Sequence, residues 1–347
     1  MSNKKASPFK ISPLMSSLPT QRATNLRDAY RICDDKPLVG EDIDRYYVDL
    51  SKVRNTQAIE SVNLQLDLQQ PGEFKTLLFT GHRGGGKSTE LRRIQSRWNE
   101  TYRVIYIEVD LELDINDAEY TDLYLLFIKK VTDDLNSLGL TFNRQLLESF
   151  ELWFKEVTDE TEESVQSAVL VETEAGAGVE IPFLSKLLTK LIAQIRGSTQ
   201  HKTVIRKALQ KDISRLQTDM NRLLDDAYQK LQDKYAERYQ KGFLFIVDNL
   251  DRVPPNVGNH LFFEYAQQLQ ELNSTIIYTV PISVVYSDKN VTNVFGNPHI
   301  MPAINVYHYN REDCDLNYDK NKIKGMATIL GQRVDLKSVF SRPKPLR

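Results

Sequence analysis

The residues best suited to chemistry lie at positions 81–89, where four glycines, a lysine and two hydroxyl side chains occur together as GHRGGGKST. Their spacing matches G-x-x-x-x-G-K-[ST], with an apolar run before it and a helix-like run after it. Glycines let the main chain approach a phosphate closely, and the N–H groups of the loop and of the following helix bind it. The predicted nucleotide-binding set is Gly81, His82, Arg83, Gly84, Gly85, Gly86, Lys87, Ser88 and Thr89.

Three of these side chains have distinct expected roles. Lys87 is expected to contact the β- and γ-phosphates, and the Ser88 hydroxyl to join the oxygen shell of a Mg²⁺ ion. Thr89 is placed for the α-phosphate. The alternative is a glycine-rich turn that precedes a helix by chance, which is a weaker explanation because the chain has only 15 glycines. The expected cofactors are ATP and Mg²⁺, and GTP is disfavoured because the chain lacks an N-K-x-D motif.

A second group of polar residues follows the apolar run FLFIV, in the stretch FLFIVDNLDR. Asp248 is expected to hold Mg²⁺ through water, although an aspartate that caps a turn after a core strand is the simpler alternative. Many ATPases place a glutamate at the next position to activate water, whereas this chain has Asn249, which cannot accept a proton. Either Asp251 or a residue outside this stretch does that work, or turnover is slow.

Further polar candidates come from two other runs. Glu108 and Asp110 follow the apolar run RVIYI, where a solvated acidic loop is an equally good interpretation. Thr279, in STIIYTV, would emerge near the γ-phosphate if its strand lies beside the strand that leads into the glycine-rich loop. It is also an ordinary β-branched residue for a buried strand.

These residues require a sheet that brings several strand ends together. Short apolar, β-rich runs occur at 76–80, 103–109, 243–248, 274–280 and 304–309, and helix-length segments separate them. This alternation predicts an α/β fold with a parallel five-stranded sheet flanked by helices.

About 130 residues separate the second and third runs, too many for a simple crossover. We predict a helical insertion at 111–240 within an ATPase core formed by 23–110 and 241–347, after a disordered arm at 1–22. The insertion contains an amphipathic segment, FLSKLLTKLIAQI, and a pattern at 201–240 that would give one long helix if continuous.

Composition sets limits on the class of protein. The formal net charge of -2 gives no global attraction to nucleic acid or to an anionic membrane. Cys33 and Cys314 fit neither a disulfide framework nor a metal site, so both are interpreted as packing residues in a reducing compartment. With no signal-peptide pattern and no membrane-spanning run, the expected location is cytoplasmic.

The order of these elements resembles the additional-strand class of P-loop ATPases, which includes the AAA+ and STAND families. The stretch DNLDR is similar to the DDLDR of KAP-type and STAND-type NTPases, and GHRGGGKSTEL resembles the P-loop of bacterial ATPases of that kind. The resemblance covers about residues 40–110 and 240–310. It implies a sheet order of 5-1-4-3-2, with Asp248 and Thr279 beside the phosphates and the segment at Tyr46 and Tyr47 near the adenine.

Two features depart from this family pattern. Asn249 replaces the usual second acid, and only 38 residues follow Tyr309, too few for the usual helical lid. The lid is therefore expected to be shortened or supplied by a partner, with Arg333 as a candidate lid arginine.

The function that follows is a Mg²⁺-dependent ATPase of the signalling type. It is expected to act as a switch on a protein partner, or on its own assembly, through the helical insertion. The alternative is a nucleic-acid motor or loader, supported by a basic stripe of Lys202, Arg206, Lys207 and Lys211, for which a solvated helix face is the simpler explanation. A third interpretation places FLSKLLTKLIAQI on a membrane surface, where packing against another helix is the simpler alternative.

Overall fold

The computed structural model describes residues 21–150, 182–197, 199–312 and 315–340. The predicted disordered arm, except its last two residues, and Cys314 lie outside these ranges. The described chain forms two compact units. The larger contains Arg54–Ile304, and the smaller contains the described residues up to Val53 and from Asn305 onward.

The larger unit is built on a five-stranded sheet in which all strands are parallel. The strands are β1 (Thr76–Gly81), β2 (Arg103–Glu108), β3 (Phe243–Asp248), β4 (Thr275–Thr279) and β5 (His299–Met301). Their order is β2-β3-β4-β1-β5, which reads 5-1-4-3-2 from the β5 edge. The predicted α/β class and parallel sheet are confirmed.

The fifth strand is not the predicted one. His299–Met301 pairs with β1, whereas the run at 304–309 contributes to β6 (Tyr307–Asn310), which forms an antiparallel hairpin with β7 (Asp315–Tyr318) in the smaller unit. The prediction failed because β5 is only three residues long and is enclosed by Pro298 and Pro302, which stop strand pairing on both sides.

Sixteen α-helices of the described residues are numbered here, and residues 144–150 are also helical. In chain order they are α1 (Leu26–Ile32), α2 (Glu41–Tyr46), α3 (Ser51–Arg54), α4 (Ala58–Leu68), α5 (Lys87–Trp98), α6 (Val109–Glu112), α7 (Tyr120–Ser137), α8 (Pro182–Gly197), α9 (Thr199–Lys211), α10 (Ile213–Lys234), α11 (Pro255–Asn259), α12 (Ala266–Gln270), α13 (Ile282–Val285), α14 (Thr292–Phe295), α15 (Lys320–Arg333) and α16 (Leu336–Val339). Short 3₁₀ turns occupy Ile115–Asp117 and Leu250–Arg252, and a π-helical turn occupies His260–Glu264.

The sheet separates two apolar layers because successive side chains of a strand point to opposite faces. Leu77, Phe79 and Leu244 pack with α4 and α5 on one face. On the other face α7 lies against the sheet, with Phe127 stacked on Phe245 at a centroid distance of 4.9 Å. The strands therefore read as nearly continuous apolar runs because both faces are covered.

The described helices of the insertion belong to the larger unit and pack against α7. The apolar face of α8 is buried there through Leu184, Leu187, Leu188, Leu191, Ile192 and Ile195. This contradicts the membrane-surface interpretation, because that face is already covered by protein. No helix in the described part of the chain is long and apolar enough to cross a bilayer.

The pattern at 201–240 is not one helix. Residues up to Lys211 form α9, and α10 begins at Ile213 because the Asp212 carboxylate accepts a hydrogen bond from the Arg215 N–H and caps a new helix. The second helix ends at Lys234 rather than continuing to 240.

The smaller unit joins the two ends of the described chain. A parallel bridge pairs Ala23 with Val334, and a small core includes Ala23, Ile32, Tyr46 and Val334. Residues 23–53 and the described residues from 305 onward belong to this smaller unit, and their place in an ATPase core stays a prediction. Cys33 is exposed, so its interpretation as a packing residue was wrong.

Candidate functional site

The glycine-rich loop connects the carboxyl end of β1 to the first turn of α5. Gly81 is required by close approach, since a Cβ there would stand 2.3 Å from the main-chain oxygen of Met301. Gly84 and Gly86 have φ of +74° and +88°, which glycine adopts without strain. Gly86 provides no side-chain cap for α5, and the first N–H groups of a helix have no partner within it. The loop is thus a backbone cradle suited to an anion.

Lys87 lies inside this cradle rather than in solvent, with only 6% of its surface exposed. Its ammonium donates to the main-chain oxygens of Gly81 at 3.0 Å and His82 at 3.1 Å. It also forms an ion pair with Asp251 at 2.9 Å. These three partners match the three protons of the ammonium group. Two carbonyls and one carboxylate thus hold the Lys87 ammonium in the loop for which the sequence predicts phosphate binding.

Asp248 is almost wholly buried at the carboxyl end of β3. Its carboxylate accepts a hydrogen bond from the Tyr106 hydroxyl at 2.6 Å and another from the Asn249 N–H at 2.8 Å. Burial, and then the charge of Asp248, raises the pKa of Tyr106, so this phenol remains protonated and donates. The carboxylate is held in one orientation by a neighbouring strand and by its own turn.

The turn after Asp248 is organised by Thr279. Its hydroxyl accepts from the N–H groups of Leu250 and Asp251 at 3.0 and 3.3 Å, and donates to the Val247 oxygen at 3.1 Å. Because Thr279 is fully buried, its hydroxyl does not emerge toward a phosphate as predicted. It instead fixes the segment that presents Asp251 to Lys87.

Asn249 takes part in a second contact of this turn. It has a φ of 67°, and its side-chain amide donates to Asp110 at 2.7 Å. Asp110 also pairs with Arg252 at 2.6 Å. The amide of Asn249 is thus engaged with the carboxylate of Asp110, and an amide does not accept a proton from water.

Sequence reasoning missed three residues of this region. Arg54 donates to the Gly85 oxygen at 2.6 Å, and a second nitrogen of its guanidinium lies 3.1 Å from the Met301 sulfur. Tyr106 binds Asp248, and Arg92 lies over the Tyr106 ring at 3.4 Å while pairing with Glu108 at 2.8 Å. No spacing signals these contacts, because each joins positions from different elements.

Other predicted residues lie elsewhere or are not tested. Ser88 and Thr89 are half-buried in the first turn of α5, and their roles toward Mg²⁺ and phosphate stay predictions. Arg333, Tyr46 and Tyr47 belong to the smaller unit, where Tyr46 is buried in its core. Their roles as lid arginine and adenine neighbours also stay predictions.

The basic stripe predicted for nucleic acid is not an exposed stripe. Lys202 and Arg206 are buried, with Lys202 paired to Asp117 at 2.5 Å and Arg206 to Asp117 at 3.0 Å and to Asp122. Only Lys207 and Lys211 of the four are exposed. The support for a nucleic-acid motor is therefore removed, because two of its four charges are neutralised inside the protein.

The site brings together a glycine-rich loop, the buried ammonium of Lys87 and the carboxylates of Asp248 and Asp251 at the carboxyl ends of the parallel strands. The residues present fit a phosphate, since Gly84, Gly85 and Gly86 leave the main chain of the loop without side chains, and a Cβ on Gly85 would lie only 2.9 Å from the His82 oxygen. Ser88 and Asp248 provide oxygen donors of the kind that Mg²⁺ prefers. Comparison with protein-family models, with curated proteins and with solved structures found no match.

Proposed function

We propose that this protein binds ATP with Mg²⁺ at the loop 81–89 and hydrolyses it slowly, as a nucleotide-dependent switch. The observation that carries the proposal is Lys87, a buried ammonium held at the centre of a glycine cradle that ends a parallel strand. Removing a charge from water is costly, and here two main-chain oxygens and Asp251 offset that cost and keep an ammonium inside the loop, where the proposed phosphate binds.

The chain's own residues divide the work of binding. Lys87 exchanges its hydrogen bonds to main-chain oxygens for bonds to phosphate oxygens, and the N–H groups of the loop bind the remaining charge. Ser88 directly and Asp248 through water would hold the metal ion, which would neutralise charge on the phosphates. Tyr106 keeps the Asp248 carboxylate in place.

Asp251 is the best-placed acceptor for the proton of an attacking water. It lies beside Lys87, whereas Asn249 is engaged with Asp110 and cannot accept a proton. When phosphate oxygens replace the main-chain oxygens of Gly81 and His82 as partners of Lys87, the ammonium moves and its pair with Asp251 rearranges. This rearrangement provides the switch, and the insertion carries it to a protein partner or to a second copy of the chain.

Substitution of Lys87 tests the phosphate site. Lys87→Ala is expected to weaken ATP binding about a hundredfold, the size expected when one member of a buried charge contact is removed. Isothermal titration with ATP and Mg²⁺ measures this, with Lys75→Ala, an exposed lysine before the amino end of β1, as the matched control. Unchanged ATP affinity in a folded Lys87→Ala protein would remove the assignment.

A further inference from the structure

A cavity of about 450 Å³ opens directly beside the glycine-rich loop. Its wall is formed by His82 of the loop, by Ile282, Ser283 and Tyr286 around α13, and by Ile300–Pro302 at the end of β5. This volume falls within the roughly 300–1,000 Å³ of small-molecule sites.

The cavity and the loop share structural parts. His82 belongs to the loop, and Met301 lines the cavity while its methyl group lies 3.7 Å from the position of a Cβ on Gly85. Arg54 binds both the Gly85 oxygen and the Met301 sulfur. A molecule whose phosphates lie on the loop therefore has the cavity as its immediate neighbour.

The lining selects for an uncharged aromatic ring rather than for more phosphate. Ile282, Ile300, Met301 and Pro302 are apolar, and Tyr286, which is 70% exposed, offers a ring for stacking. Among the lining residues there is no lysine, arginine or carboxylate, and Ser283 offers one hydroxyl. A purine base has this combination of large apolar faces and a few hydrogen-bonding edge atoms.

We propose that this cavity holds the purine base of the nucleotide whose phosphates the loop binds. The inference rests on the proposed function and deepens it, since it assigns the second end of the ligand. It differs from the location near Tyr46 and Tyr47 that the family resemblance implies. Adenine suits the lining better than guanine, because the cavity wall has no carboxylate to accept from guanine N1–H and N2–H.

Photolabelling with 8-azido-ATP and Mg²⁺ tests the location. The reactive group is on the base, so the label marks the residues that line the base site. Tryptic cleavage places Ile282, Ser283 and Tyr286 in the peptide 253–289, residues 300–302 in the peptide 290–311, and Tyr46 and Tyr47 in the peptide 46–52. We expect label in 253–289 or 290–311 that excess ATP suppresses. Label in the peptide 76–83, which contains the lining residue His82, would also agree with the cavity. Label confined to 46–52 or to peptides that contain none of the lining residues would overturn the inference.

The same experiment on Lys87→Ala separates the two levels of the argument. Loss of all label in this variant supports the phosphate site wherever the label had been. Label that persists in Lys87→Ala, or no ATP-suppressible label in the unaltered protein, would overturn the proposed function and with it the inference.

A paired substitution measures the contribution of the aromatic wall. Tyr286→Ala is expected to weaken ATP binding about tenfold, the size of losing a base-stacking contact. Because Tyr286 is largely exposed, the change should leave the fold intact. The control is Phe74→Ala, another partly exposed aromatic. It precedes the amino end of β1, whereas the loop follows the carboxyl end of the same strand. Equal ATP affinity in the two variants would count against the cavity.

Discussion

Under the proposed function, the pair between Lys87 and Asp251 combines binding and regulation in two residues. Both are largely buried, with side-chain exposures of 7% and 11%, so the attraction between them is stronger than in a surface ion pair. Under the proposed function, the negative charge of Asp251 opposes the binding of a phosphate at Lys87, and its carboxylate is the acceptor for the proton of the attacking water.

Asp251→Asn separates these two effects. We expect ATP to bind several-fold more tightly, because a negative charge near the phosphate site is removed, and turnover to fall about a hundredfold, because the proton acceptor is lost. Titration calorimetry and phosphate release measure the two changes, with the exposed Asp288→Asn as the control. Unchanged turnover in Asp251→Asn would move the proton acceptor elsewhere.

Sequence alone could predict the residues of the loop but not all of their partners. The glycines, Lys87 and Ser88 form a local pattern, and local spacing is visible without a fold. The contact of Tyr106 with Asp248 joins positions 142 residues apart, and that of Arg54 with Gly85 joins positions 31 apart. For Thr279, the sequence predicts the strand but not the partners of the hydroxyl, because these include N–H groups of the turn after β3.

At the scale of elements, the segment from α6 to the start of α7 connects the site to the insertion. Its carboxylates bind two different regions. Asp110 binds the turn at 249–252, while Asp117 and Asp122 bind the basic residues of α9. The Leu111 oxygen accepts from Arg196 of α8 at 2.7 Å. The acidic stretch, for which a solvated loop and a functional role are equally good interpretations from sequence, is thus a connector between two parts of the larger unit.

Arg206 of α9 is a buried basic group that pairs with this connector, and its loss should be costly. Arg206→Met keeps the apolar stem but leaves Asp122 buried without its guanidinium, so we expect about 3–5 kcal/mol of destabilisation. Urea unfolding followed by circular dichroism measures the change. Lys207→Met, an exposed lysine on the same helix, should change stability by less than about 0.5 kcal/mol. A similar shift in both variants would show that the buried pair adds nothing specific.

Helices and strands with a clear apolar pattern were predicted correctly, whereas elements whose ends depend on one or two particular side chains were not. Four of the five sheet strands and the amphipathic α8 follow from apolar patterns. The break between α9 and α10 depends on the cap at Asp212, and β5 depends on two prolines that enclose three residues. The cap and the prolines are local features of the sequence, but the spacing of apolar residues does not reveal them.

At the scale of the whole molecule, the described helices of the insertion share one unit with the sheet. The predicted boundary at 111–240 marks a change of pattern, whereas the apolar core is continuous from β2 and β3 through α7 to α8 and α10. A change at the carboxyl edge of the sheet therefore has a packed and hydrogen-bonded route to these helices.

Asp110→Ala tests whether the turn after β3 communicates with the insertion. In the unaltered protein, ATP and Mg²⁺ should slow amide hydrogen exchange in the loop 81–89 and also change exchange in α8 and α9, because Asp110 ties the turn at 249–252 to the segment that these helices hold. In Asp110→Ala the slowing in the loop should remain, because none of its groups is removed, while the change in α8 and α9 should fall by at least about half. Asp67→Ala, an exposed aspartate near the end of α4, should retain both responses. If α8 and α9 respond equally in Asp110→Ala and in the unaltered chain, the signal bypasses this carboxylate and the connector is a structural tie only.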